Sequence, residues 1–512
     1  MVADVVVVGG GGAGLTAACE ARRLGRRVLL LEKAARVGGT TALSVGSIMA
    51  AGTRLQRAAG IQDSPAEHAE DLAGVTKTFG IGDNPALRTL FATHAAEAVD
   101  FLEAIGVVFT DPMAQPPHRR PRLHQIIPGS RSYIHHLERH CAKSGVEVVC
   151  NVRASRLLQE GGRVNGVEAQ AADGRVLRVT ATRAVVLASG DVAGNPGMLT
   201  QYAGTGLENV EVLNPVCSGD GHAMAAAIGA KIVPRLDFGA AGLANIRFVP
   251  PARPNWVQSI PPHRAVAQLI KLGMRYLPDA LLRPFVLKFL TTALGPDRRL
   301  FEHGFILVNK NGERFADELG GPNINDVGSR ARPGPEDRDS RAPSLLLARQ
   351  PEGIGYLIFD ERLARQFSAW PCFVSTAPGV AYAYVNDYRK ARADIFHSGD
   401  TLAALSARVG FDPEKLEATV AAANNNRSGR QQTLATPPFH ALGPVKSWVL
   451  VTPVGLAVND RLEVLDEHGA VIAGLYAAGG VGQGGYSITG HGHGLGWAFT
   501  SGLLAGRAAA AA

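Results

Sequence analysis

Residues 2–41 read VADVVVVGGGGAGLTAACEARRLGRRVLLLEKAARVGGTT, and the order of residue types in them decides the fold. Asp4 to Val8 is a β-branched run of the kind found in a fully buried parallel strand. It leads into Gly9, Gly11 and Gly14 at the G-x-G-x-x-G spacing. Gly9 permits the tight turn, Gly11 lets the backbone approach a pyrophosphate, and Gly14 lets the helix from Leu15 to Leu24 lie close on the strand. The N-terminus of that helix presents unpaired N–H groups and the positive end of its dipole to the phosphates. A second apolar strand, Arg27 to Leu31, ends in Glu32, about 20 residues past the glycines, where a carboxylate accepts ribose hydroxyl protons. The unit is strand, turn, helix, strand and acid in that order. It predicts a dinucleotide site at the edge of a parallel sheet.

Further on, VGGTTALSVGSIMAAGTRLQRAAGI (37–61) is rich in Gly, Ser, Thr and Ala, which suits backbone packed against a flat ring system. Apolar residues recurring every three to four positions predict helices over 64–72 and 85–105. A Pro- and Arg-rich loop follows at 111–130, then a helix over 133–143. The stretch from Val146 to Gln170 reads as a β-meander, with turns at Gly161-Gly162 and Asp173-Gly174. RAVVLASGD (183–191) returns to the parallel sheet, which puts Ser189-Gly190 at a strand's carboxyl end, where ligands of open α/β sheets bind. SGDGHAMAAAIGA (218–230) is a second glycine turn running into a helix. From about Phe238 the composition shifts, and 238–445 reads as an inserted unit. The C-terminal part predicts a hairpin at Glu467–Gly469, a strand 474–478, a glycine-dense turn and a closing helix 496–508, with a frayed alanine tail. Both chain ends then build one domain, 1–237 with 446–512.

The 512 residues are 46% hydrophobic and 19% charged, enough apolar material for two cores. The five cysteines are scattered without a CxxC pair, which favours reduced thiols and a cytoplasmic location. The formal charge of +7 comes from arginines spread along the chain, and no nucleic-acid fold signature accompanies it. No positively charged leader precedes the first apolar run, and no run reaches the roughly 20 residues that span a bilayer. Two basic apolar stretches within 264–294 carry Lys271, Arg275, Arg283 and Lys288. They fit a hairpin on a membrane surface and, equally, a pair of cap helices over a substrate entrance. His135, His136 and His140 have metal-ligand spacing on one helix, but no carboxylate or cysteine partner is apparent, so a solvated helix face is expected and no metal is assigned.

The glycine unit with Glu32, the GGTTALSVGSI stretch, VVLASGDVAGNP, NPVCSGDGHAMAAAIGA, KNGERFADE and AGLYAAGG…GHGLGWAFTSGLLAG, in that order, resemble the flavoproteins of the fumarate reductase and 3-ketosteroid dehydrogenase group. The resemblance spans nearly the whole chain. It implies an α/β fold, a Rossmann-like FAD-binding domain with an inserted α+β capping domain over the substrate. It implies FAD contacts from Gly9, Gly11, Gly12, Ala13, Gly14, Glu32, Lys33, Gly39, Thr40, Thr41, Ser44 and Gly46. Ala154 and Asp220 would lie near the adenosine half, with Ser189, Gly190 and Asn195 along the cofactor. Gly479, Gly480, Gly494, Leu495 and Ala498 would lie near the isoalloxazine. The segment where succinate dehydrogenases attach their flavin holds no histidine, so non-covalent FAD is expected.

The departures bear on substrate class. The cationic anchors that hold a dicarboxylate in fumarate reductases fall on LGGPN after Glu318, on VTPVG (451–455) and on TGHGHG (489–494). The pattern therefore implies the ketone-desaturating branch. That chemistry needs an oxyanion hole, a base for the α-proton and a flavin to take the β-hydride. In the ketosteroid enzymes' pattern Gly492 matches a backbone donor; their tyrosine falls on Ile488, leaving Tyr486 as a substitute, with His491 and His493 as further donors or bases. Their base tyrosine falls on Pro322-Asn323, and Tyr382, Tyr384, Tyr388, His124 and Tyr133 are alternatives. The expected activity is dehydrogenation of a hydrophobic cyclic ketone or ketosteroid-like compound, with electrons passing to an unidentified acceptor. Reduction of an enone and a non-catalytic flavin-binding role are the alternatives.

Overall fold

Four consecutive valines, Val5–Val8, are fully or nearly fully buried because the strand that carries them has neighbours on both edges and cover on both faces. The computed structural model describes residues 1–252, 256–278, 283, 287, 291, 294–319, 342–377, 381–488 and 490–512. Strand β1 (Val2–Val8) leads into helix α1 (Gly12–Arg23) and strand β2 (Val28–Leu31), which pairs with it in parallel from Val5↔Val28 to Val8↔Leu31. On its other edge β1 pairs in parallel with the strand Val176–Leu187, and that strand with Val471–Ala477. Glu147–Val149 extends the sheet beyond β2, and Glu463–Leu465 closes the far edge in antiparallel fashion. Residues near both ends of the chain thus share one sheet.

The C-terminal helix, His493–Ala511, lies directly on α1. Cβ atoms on Gly502 and Gly506 would sit 2.4 Å from the Ala13 and Ala17 carbonyl oxygens, so only glycine allows this approach. The alanine tail is not frayed: Ala509 and Ala510 are buried and Arg26 Nε donates to Ala510 O at 2.8 Å. Alanine combines the highest helix propensity with a side chain small enough for such close contact.

The meander is Val152–Glu160, Arg163–Ala171 and Val176–Leu187, turning at Gly161-Gly162 and at Gly174, all at positive φ. Its last strand continues into the parallel sheet. The run before it breaks at Asn151, whose φ of 58° ends the strand paired with β2 and starts the meander. The loop expected at 111–130 contains a strand, Leu123–Ile127, paired antiparallel with Ser47–Met49 and Val108–Phe109. Polar residues mask it in the sequence, yet each is satisfied. Gln125 bonds Ser47 Oγ and Val45 O, and buried Arg122 makes a two-pronged ion pair with Asp63, both bonds 2.7 Å, and a further contact to Asp71.

A second sheet forms around Phe439–Val449, which pairs with Ile354–Asp360, Ala244–Phe248, Phe396–Gly399 and Glu211–Val212, with Ile306–Asn309 next to Ile354–Asp360. The described residues form two hydrophobic clusters. One runs through the first sheet and its helices, and the other draws only on residues between Phe248 and Val445. Ala342 and Leu345, between those limits in sequence, pack into the first cluster. Of the basic apolar stretch 264–294, the helix Arg264–Tyr276 exposes Leu269, Leu272 and Tyr276, while much of the second half lies outside the described residues, as do Pro322 and Asn323. No helix among the described residues is long and apolar enough to cross a membrane.

Candidate functional site

A cavity of about 1700 Å³ opens at the carboxyl ends of β1, β2, Val176–Leu187 and Val471–Ala477, and Ala244–Phe248 of the second sheet also lines it. The three glycines play different parts there. Gly9 has φ 110°, and a Cβ on it would meet Ala188 O at 2.4 Å, so the turn requires glycine. Gly14 does not line the cavity; a Cβ there would reach 1.9 Å from Gly9 O, which makes it the contact that seats helix on strand. Gly11 lines the cavity and has nothing within 4 Å of its Cβ position. It is the N-cap of α1 and carries no side-chain cap, which leaves first-turn N–H groups for an anion.

Glu32 holds this turn in shape. Its carboxylate accepts the Gly10 N–H at 2.7 Å and the Ala34 N–H at 2.8 Å, each oxygen keeps further acceptor capacity, and the residue lines the cavity. Lys33, Ala154 and Asp220 line the same end, where Asp220 binds Lys33 Nζ and Arg153, both at 2.7 Å. These two cations hold the Asp220 carboxyl below its usual range against the opposing effect of burial. Gly12, Ala13, Gly39, Thr40, Thr41, Ser44 and Gly46 line the middle. Thr41 Oγ1 accepts the Gly12 N–H at 3.1 Å, and Thr40 Oγ1 accepts from Asn214 Nδ2 at 2.9 Å. Ser189 and Gly190 are also on the wall. Asn195 is not. Its side chain caps the helix Pro196–Ala203 through Met198 N and donates to Ser218 O, so its part is structural. Asp191, unmarked in the sequence, lines the cavity and accepts N–H bonds from Thr452 and Ala193, and burial raises its carboxyl to about 6.

At the far end Gly479, Gly480, Gly494, Leu495 and Ala498 line the wall beside the start of the C-terminal helix. Of the four residues expected in catalysis, His491 and Gly492 face the cavity. Tyr486 and His493 do not. Tyr486 is fully buried between Phe91 and Trp497, with ring centroids 5.8 and 5.2 Å away. His493 turns toward His68 and His118. The alternative bases are also elsewhere: His124 bonds Thr53 and Arg122 O, Tyr133 donates to Gly46 O, Tyr388 pairs with Ser375, and Tyr382 packs on Trp370 and Phe373. Tyr384 is the N-cap of the helix Val385–Ala391. His136, expected on a solvated face, is buried under Gly106, and His135 packs against His263.

One residue that carries no signal in the sequence lines the same cavity and acts on His491 through its charge. Arg247, on the strand Ala244–Phe248, lines the cavity far enough inside the molecule that burial lowers its guanidinium to about 10. His491 is lowered by burial first and by the Arg247 charge second, both of which favour its neutral imidazole. No motif surrounds Arg247 in sequence. A cavity with an uncapped, glycine-lined helix start at one end and a cation beside a neutral imidazole at the other suits an extended dinucleotide plus a small molecule with a polarisable oxygen.

The family model described as "FAD binding domain" matches residues 4–255 and 284–496. The chain is 27% identical over 493 residues to the NADH:fumarate oxidoreductase of Klebsiella pneumoniae (strain 342), covering 93% of this chain and 44% of that protein's length. It is 25% identical over 599 residues to the 4-oxocyclohexanecarboxylate 2-dehydrogenase of Sinomonas cyclohexanicum, covering 98% and 92%. The 3-ketosteroid Δ1-dehydrogenase structure from Sterolibacterium denitrificans superposes with a TM-score of 0.65 at 20% identity, covering 100% of this chain and 99% of that one.

Proposed function

The chain belongs to the FAD binding domain family, and we propose that it is a flavin-dependent oxidoreductase that introduces a C=C bond α,β to a carbonyl, with Arg247 and His491 as its working side chains. FAD would be held without a covalent bond, with Gly11 and the α1 N-terminus taking its pyrophosphate, Glu32 its ribose, and Gly479, Gly480, Leu495 and Ala498 its ring system. When bound, it supplies the acceptor for the hydride that leaves the β-carbon. Arg247 donates to the carbonyl oxygen and balances the negative charge that grows there as the α-proton departs. His491, neutral because burial and Arg247 disfavour its cation, accepts that proton. Gly492, at the start of the C-terminal helix, places a backbone donor near the same end.

The observation that carries this reading is the placement of Arg247 and His491 together at the flavin-ring end of the cavity. The likeness to 4-oxocyclohexanecarboxylate 2-dehydrogenase, along nearly its whole length, supports a ketone with a second polar group. The likeness to an NADH:fumarate oxidoreductase supports the reverse direction as a second reading, since one site serves both directions of a hydride transfer. The test is anaerobic mixing of the FAD-loaded protein with a panel of cyclic ketones, followed at the oxidised-flavin absorption band. Arg247→Gln is expected to slow bleaching by roughly 10²- to 10³-fold, the range for losing one oxyanion donor, with FAD still bound. Reoxidation of the reduced protein by enones, without bleaching by ketones, would assign the reductive direction. Bleaching at the parent rate in Arg247→Gln would remove Arg247 from the chemistry.

A further inference from the structure

Behind Gly492 three imidazoles from three distant parts of the chain converge. His68 comes from the helix Pro65–Phe79, His118 from the segment before Leu123–Ile127, and His493 is the first residue of the C-terminal helix. One ring nitrogen from each lies within 4.8 Å of the others, and the ring centroids are 5.1 to 5.9 Å apart. We propose that His68, His118 and His493 form a binding site for a divalent first-row transition cation, with Zn²⁺ as its fitting ion.

Four observations carry this. His68 is fully buried and, among the described residues, neither of its ring nitrogens has a hydrogen-bond partner, a costly state unless something occupies the gap. His118 Nδ1 is likewise buried with no hydrogen-bond partner among the described residues, so a ligand is the missing partner for it too. The donors are all nitrogen, which suits zinc, copper or nickel and not magnesium or calcium. Behind His118 stands Asp71, with Nδ1 and Oδ2 3.9 Å apart, fixed by Arg122 and Arg119. That is where a carboxylate orients a metal-bound imidazole.

Tetrahedral Zn–N bonds of about 2.0–2.1 Å place ligand nitrogens roughly 3.4 Å apart, so rotation of the rings toward a common centre closes the site. Three ligands leave a fourth position. His118, whose ring also edges the large cavity, provides the path by which an ion enters. An ion there would tie the first residue of the C-terminal helix to two other segments and so pin the turn carrying His491 and Gly492.

The experiment uses tag-free, FAD-loaded full-length protein dialysed against a chelator and titrated with Co²⁺, whose d–d bands lie at longer wavelength than the flavin's, then with Zn²⁺ as competitor. The expected result is one saturable equivalent per chain, displaced by Zn²⁺. His68→Ala and His118→Ala should each weaken it at least ~100-fold, because loss of a ligand exceeds the effect of losing its outer-shell partner. His135→Ala is the control and should bind as the parent does. FAD content and the metal-free melting temperature show which variants fold, and if His68→Ala fails, His118→Ala carries the test. Absence of a saturable band in the parent, or undiminished binding in a folded ligand variant, would overturn the site.

Discussion

Exchanging Gly11 and Gly14 separately for alanine distinguishes a glycine that serves the cofactor from one that serves the fold. At Gly11 the added methyl has nothing within 4 Å, and φ −78°, ψ −174° is open to any residue. The protein alone should therefore lose under about 1 kcal/mol, the cost of alanine in place of glycine at an N-cap. The same space is where the pyrophosphate approaches the backbone. A methyl there overpacks the bound state by about 1 to 3 kcal/mol, or roughly 5- to 150-fold in FAD affinity. At Gly14 the methyl would lie 1.9 Å from Gly9 O, 3.0 Å from Gly9 C and 3.2 Å from Ala188 Cβ. Two of those atoms are backbone and cannot rotate away, so α1 must shift off β1. The gain of about 1 kcal/mol in helix propensity does not offset that shift, and the apo protein should lose more than 2 kcal/mol. Apo-protein denaturant melts followed by circular dichroism, together with FAD titrations followed by flavin fluorescence, separate the two effects. Parent-like FAD affinity in Gly11→Ala would refute the placement of the pyrophosphate, and a parent-like melt in Gly14→Ala would refute the packing argument.

Tyr486→Phe removes a fully buried hydroxyl that has no partner among the described residues, so it should stabilise the fold by about 1 kcal/mol and leave flavin reduction within twofold of the parent. A hundredfold slower reduction would return Tyr486 to the mechanism. Burial holds His124 and His222 at about 4 in the folded state. Against about 6.5 unfolded, the stability that goes with their neutral form is complete above pH 6.5 and lost as pH falls through 4. The loss is about 3 kcal/mol each, and melting temperatures from pH 7 down to 4 should show it. The exposed Leu269, Leu272 and Tyr276 beside Arg264, Lys271 and Arg275 predict binding to vesicles rich in anionic lipid that Leu269→Glu and Leu272→Glu together abolish. Sedimentation that is the same for parent and variant would exclude this face.

Much of the cofactor half was legible from the chain alone. Strand, glycine turn, helix, strand and Glu32 lie within forty contiguous residues, and their spacing is dictated by contacts the same residues make with one another. The strand at Leu123–Ile127 was hidden because its alternation is broken by His124 and Gln125, whose partners Thr53 and Ser47 come from elsewhere in the sequence. The alanine tail looked frayed because its partner, α1, is nearly five hundred residues away.

The substrate end divides differently. In the turn before the C-terminal helix, glycines at positive φ, Gly490 and Gly492, alternate with histidines. Composition marks that turn as chemical but cannot say which ring goes where. The fold settles it, with His491 on the cavity wall within reach of the Arg247 charge and His493 against His68 and His118. A glycine hinge lets residues two apart face opposite ways. The dinucleotide-binding unit and the meeting of the two chain ends are legible in the residue order, because those follow from local spacing and strand burial. Which side chains meet at the reacting end is a property of the second sheet's seating over the first, and only the fold brings Arg247 and His491 together.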